Sequence, residues 1–68
     1  MELSARNQIQ GKVTSVKLGA VMGEVSIDIG HGQTIVSTIS LASIKRMKIR
    51  KGDAVTAIIK ATEVIIGK

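Results

Sequence analysis

EVSIDIGHGQTIVSTIS, residues 24–40, is the stretch that decides the fold. Val25, Ile27 and Ile29 alternate with Glu24, Ser26 and Asp28. Successive side chains of a strand point to opposite faces, so this alternation predicts a half-buried strand with one apolar face. Gly30-His31-Gly32 then interrupts it, because glycine accepts the positive φ that a tight hairpin turn needs. His31 is read as a solvent-facing turn residue. Gln33 to Ile39 resumes as the return strand, and Ser40 stands where an N-cap belongs, its hydroxyl able to accept from a free N–H of a first helical turn. Leu41, Ile44 and Met47 follow at three-residue spacing, predicting one apolar stripe on a helix of about two turns. Lys45, Arg46 and Lys48 fall toward its end, where cations suit the helix dipole, and Gly52 of RKGD marks the turn beyond it.

Working outward, Ile9, Gly11, Val13 and Ser15 share one parity and Gln8, Gln10, Lys12 and Thr14 the other, which predicts a first strand over Ile9 to Val16. AVTAIIK (54–60) and TEVIIGK (62–68) read as the last two strands, parted by a Lys60-Ala61-Thr62 corner. The order β-β-β-α-β-β matches an all-β, five-stranded OB-like barrel with one short helix between strands 3 and 4. An SH3-like barrel or a simple meander would show the same strands. Residues 1–68 contain no linker and no low-complexity segment, so a single domain is expected.

At 68 residues the core is too small for comfortable stability alone, and with no cysteine there is neither a disulfide nor a thiolate metal site to supplement it. Oligomerisation is the remaining supplement, and the aliphatic content favours it: 44% of residues are hydrophobic and none is aromatic. No metal site is expected, since the lone His31 lacks companions. No apolar run approaches the roughly 20 residues that cross a bilayer, and no apolar segment with a small-residue cleavage site follows the start. A soluble cytoplasmic protein is expected.

The formal net charge of +5 favours an anionic partner. Enzymatic catalysis is not expected: there is one His, no Cys or Tyr, and the five carboxylates are scattered singly. A nucleic-acid-binding module is the alternative reading, since KRMKIRKG (45–52) places five cations between Lys45 and Lys51. Against it, OB folds stack bases on aromatic rings, worth about 1–3 kcal/mol per base, and this chain has none. Small oxyanions need less: backbone N–H groups, hydroxyls and one or two cations replace the hydration shell of a tetrahedral dianion. Such donors occur at three places, Ser4-Ala5-Arg6-Asn7, Gly19 to Gly23, and Lys60-Ala61-Thr62.

SARNQIQGKVTSVKLGAVMGEVSIDI (4–29), STIS (37–40) and AIIKATEVIIGK (57–68) together resemble the molbindin (Mop) branch of the TOBE-domain, molybdenum-pterin-binding protein family. The resemblance runs from Leu3 to Lys68. It implies a protein that binds molybdate or tungstate for intracellular storage and homeostasis, in the free form rather than as the end of a transport ATPase or regulator. It implies also a hexamer, a trimer of dimers, with oxyanions held at subunit interfaces. Carried onto this sequence, Ser4 and Arg6 form one wall of a site, with Thr38, Lys60, Ala61 and Thr62 supplying others. Arg6 and Lys60 would balance the double charge, Ser4, Thr38 and Thr62 would donate hydroxyl bonds, and Ala61 its N–H. A second oxyanion site is placed at Asn7, Gly19, Ala20 and Val21. A regulatory module that uses the oxyanion as a signal is a third reading, distinguished by ligand-dependent assembly.

Overall fold

The computed structural model describes all 68 residues. The chain is all-β apart from one short helix and one 3-10 turn: β1 (Asn7–Leu18), β2 (Met22–Gly30), β3 (Gln33–Ser40), α1 (Leu41–Met47), β4 (Ala54–Ile59), then the turn Ala61–Glu63. The strands form a single antiparallel sheet in the order β3-β2-β1-β4. This sheet is curled into a half-barrel by β1, which serves two partners in turn. Asn7 to Lys12 pair with β4, and Lys12 to Leu18 pair with β2.

The change of partner occurs where the local chemistry permits a bend. Gly11 packs so tightly that a Cβ there would lie 2.5 Å from the Ile27 Cγ2 and 2.6 Å from the Asp28 carbonyl oxygen. Just beyond, the β1–β2 register shifts between Val13 and Ser15, a bulge that sharpens the twist. The bulge also corrects the simple parity of the sequence. Val13 is 1% exposed on the odd parity, but past the bulge it is Val16 that packs against the core.

The β2–β3 hairpin matches its pattern. Gly30 pairs with Gln33, leaving His31 and Gly32 as a two-residue loop with φ of 55° and 72°. Positive φ at both loop residues fits the right-handed twist of the flanking strands, as in a type I′ turn. Val25 and Ile27 are buried, as the alternation requires. Ser40 caps α1 as expected, its Oγ accepting from the Ser43 N–H at 3.1 Å. Of the helical stripe only Ile44 is buried, while Met47 is 61% exposed. The helix ends on Lys48 in the left-handed region, φ 52°, with its N–H donating to the Ile44 and Lys45 carbonyls, and Gly52 serves the following turn at φ 95°.

Val13, Val25, Ile27, Ile44 and Ala57 make the whole buried apolar core. Ile35, Ile39, Ile49 and Val55 lean on it part-buried. No helix is long and apolar enough to cross a membrane.

The predicted fifth strand is the one element that differs. TEVIIGK contributes its first two residues to the 3-10 turn, and Val64 to Lys68 run on without a strand partner. A strand's hydrogen bonds are made with another strand, so a β-branched run such as Val64-Ile65-Ile66 marks a segment able to pair without supplying the edge it pairs with. Within this chain the 3-10 turn after β4 carries the tail away, leaving Ile65 93% and Ile66 84% exposed.

Candidate oxyanion site

The antiparallel register of β1 and β4 ends on the pair Asn7 and Ile59. The next residues outward along the two strands are Arg6 and Lys60. Two segments 54 positions apart in the sequence (60 minus 6) thereby meet at one end of the sheet. On one side stand Ser4 and Arg6, both exposed; on the other stand Lys60, Ala61 and Thr62, also exposed.

Local bonds hold both segments. The Gln8 side-chain amide donates to the Ala5 carbonyl at 2.7 Å, tying Ala5 to the start of β1. Sequence reasoning assigned Gln8 only a parity; the signal available was a carboxamide three residues after a chain segment that must turn. Lys60 is extended (φ −62°, ψ 134°), and its carbonyl accepts from the Glu63 N–H at 2.9 Å to close the 3-10 turn. The turn sets Lys60, Ala61 and Thr62 around a corner rather than along a line. Two cations, two hydroxyls and a backbone amide at one corner can bond a tetrahedral dianion on one side. Since all these groups lie on open surface, one chain provides a wall and no enclosure.

Thr38 lies elsewhere. It pairs with Glu24 across β2 and β3 and borders a shallow depression with Lys17, Leu18, Gly19, Met22 and Gly23. Gly19, Ala20 and Val21 form the β1–β2 connection at that same end, where Gly19 N–H donates to the Met22 carbonyl and Leu41 N–H to that of Val21, each at 2.8 Å. A Cβ on Gly19 would come 2.7 Å from the Met22 carbonyl oxygen. Asn7, grouped with Gly19 on sequence, is at the opposite end of β1 and beside the Arg6–Lys60 group instead. Within one chain, therefore, Thr38 keeps company with Gly19 and Asn7 with Arg6. Thr38 lies on β3 and Lys60 just beyond β4, the two edge strands of the sheet.

No three His, Asp or Glu side chains come together as a cation site. The clustered donors are cations, hydroxyls and amides, the set that suits an anion.

A family model described as "TOBE domain" matches residues 3–66. The chain belongs to the TOBE-domain family. Among TOBE relatives, a probable molybdenum-pterin-binding protein from Haemophilus influenzae is 49% identical over 67 residues, covering 98% of this chain and 97% of the relative. Among solved structures, MopII from Clostridium pasteurianum superposes with a TM-score of 0.93 at 42% identity, covering 98% of this chain and all of that one. A molybdate-binding protein from Sporomusa ovata gives the same TM-score at 34% identity, with full coverage of both chains. The half-barrel described above is thus shared with MopII and with the Sporomusa ovata molybdate-binding protein.

Proposed function

We propose that this chain binds molybdate or tungstate reversibly, without catalysis, at sites shared between subunits of a homo-oligomer, and serves as a cytoplasmic reservoir of the oxyanion. The observation that supports the reading is the Asn7–Ile59 pair, beyond which the two chain segments continue into Arg6 and Lys60, with Ser4, Ala61 and Thr62 exposed close by in sequence. The names of the relatives, molybdenum-pterin-binding and molybdate-binding proteins, agree with it and favour it over the nucleic-acid module.

Exposed apolar surface supports the shared site. Ile65 and Ile66 stand out from the chain, and Val36 and Ile58 are 56% and 43% exposed on the two edge strands. Burying an aliphatic side chain of this size against a partner contributes about 1.5–3 kcal/mol. A core of five residues needs such reinforcement. Association therefore does two things at once: it covers the apolar tail and edges, and it supplies the missing walls, Thr38 among them, that enclose the anion. We infer a hexamer, built as a trimer of dimers, with Asn7, Gly19, Ala20 and Val21 contributing to a second class of site near a symmetry axis.

Selectivity follows from fit. A cage dimensioned for a large tetrahedral dianion leaves some bonds to the smaller sulfate unmade, and unmade bonds at a desolvated site are costly. Native mass spectrometry with added molybdate, and with sulfate as control, tests the reading. A hexamer that gains several molybdates and few sulfates is expected; an oligomer that gains neither anion, or gains both equally, overturns it.

A further inference from the structure

The outer face of the sheet carries two rows of the same composition. Lys12, Asp28 and Thr34 lie opposite one another across β1, β2 and β3, and so do Lys17, Glu24 and Thr38. Residues paired across strands point to the same face, and all six are exposed. Lys12 and Lys17 differ in parity, and the bulge between Val13 and Ser15 is what puts them on one side. Lys17 and Glu24 also border the depression that holds Gly19 and Thr38.

The two rows differ in what their carboxylates do. Asp28 Oδ1 accepts from the Gly30 N–H at 2.8 Å and so belongs to the hairpin turn. None of the side-chain hydrogen bonds of the chain engages Lys17, Glu24 or Thr38. Two residues to either side stand Ser15 and Gly19 for Lys17, Met22 and Ser26 for Glu24, and Val36 and Ser40 for Thr38, none of them titratable. The Glu24 carboxylate therefore has one cation beside it, Lys17, and one hydroxyl, that of Thr38.

We propose that Lys17 and Glu24 set the charge selectivity of the oxyanion site at its Thr38 wall: Lys17 attracts the anion, Glu24 repels it, and together they leave that wall without net charge. This rests on the reading of Thr38 as part of the molybdate site. Side chains paired across antiparallel strands stand about 5 Å apart, so an anion on the Thr38 hydroxyl lies about 6 Å from the Glu24 carboxylate. On exposed surface at about 0.1 M salt, a charge at that distance changes affinity by about two- to threefold per unit charge on the anion. A dianion therefore feels the square of the factor felt by a monoanion. A wall without net charge contributes hydroxyl and amide bonds, which depend on fit, and leaves the electrostatic attraction to Arg6 and Lys60.

The test compares molybdate with perrhenate, a tetrahedral oxyanion of similar size and single charge, by calorimetric titration of the assembled protein at about 0.1 M salt. Glu24→Gln keeps the shape of the side chain and should raise molybdate affinity by about four- to tenfold and perrhenate affinity by about two- to threefold. Lys17→Gln, on a separate strand, lowers both by the same factors, and the double variant returns both to near the wild-type values. Asp28→Asn changes the net charge equally and keeps an acceptor for the Gly30 N–H. It lies about 13 Å along β2 from Glu24, beyond a Debye length of about 10 Å, and should shift neither affinity by as much as about twofold. Unchanged molybdate affinity in Glu24→Gln, an equal gain for both anions, or the same gain in Asp28→Asn would each overturn the proposal while molybdate binding by the wild type stands. A wild-type protein that binds neither anion overturns the reservoir reading, and this proposal with it.

Discussion

Asn7 and Ile59 close the β1–β4 ladder, and from that pair the chain leaves in two directions, through Arg6 on one strand and Lys60 on the other. The two cations and their neighbouring hydroxyls owe their proximity to the register of a backbone ladder rather than to any contact between their side chains. A shift of one residue in this register would move Lys60 to the other face of its strand.

Replacing Lys60 by Ala removes a charge-assisted bond to the anion worth about 1.5–3 kcal/mol. Molybdate affinity measured by equilibrium dialysis should therefore fall by about one to two decades. Sedimentation of the oligomer should be unaltered. If affinity is retained, Lys60 lies outside the site.

Thr38→Val tests whether the site draws on a second chain. In one subunit Thr38 pairs with Glu24 on β3 and is not part of the β1–β4 ladder end that carries Arg6 and Lys60, so a site made by that ladder end alone would be indifferent to it. A loss of about three- to tenfold in molybdate affinity is expected for one neutral hydrogen bond. Mixed oligomers of the Thr38→Val and Lys60→Ala chains should then contain some intact sites, read as a fraction of wild-type affinity.

Ile65→Ser combined with Ile66→Ser removes the most exposed aliphatic pair of the tail. Since each contributes about 1.5–3 kcal/mol when buried on a partner, the oligomer should dissociate at lower dilution in analytical ultracentrifugation. Identical sedimentation of variant and wild type would place the tail outside the interface.

Gly11→Ala introduces a methyl 2.6 Å from the Asp28 carbonyl oxygen, a backbone atom that cannot swing aside. Overpacking of this kind costs about 1–3 kcal/mol. The urea midpoint should fall, with little change in slope. Gly32→Ala, where open space surrounds the added Cβ, should cost less and through its positive φ alone.

Ser40→Ala deletes the bond from Ser43 N–H and should lower stability by about 0.5–2 kcal/mol. Ser40→Asp restores an acceptor and should recover most of the loss in the same denaturation series. A fall that Ser40→Asp does not repair would assign the effect to the Ser40–Ser43 hydroxyl bond at 2.8 Å instead.

What the sequence determined by itself is everything governed by neighbours a few residues apart. The alternation of Val25 and Ile27, the Gly30-His31-Gly32 turn and the Ser40 cap each obey a local rule, and each stands as read. The donor types were legible too, because hydroxyls, amides and cations before β1 and after β4 announce an anion whatever the fold. Tertiary structure decided what depends on distant partners. The bulge that hands the core from Val13 to Val16 arises where β1 exchanges β4 for β2, and no local pattern marks the exchange. The same holds for the placing of Thr38 beside Gly19 and for the meeting of Asn7 with Arg6's side of the sheet, which are matters of register. The TEVIIGK tail shows the limit most plainly. Its β-branched run Val64-Ile65-Ile66 says that it can pair, but pairing needs an edge that this chain does not bring to it, and hydrogen-bonding partners for a strand are a property of the assembled fold.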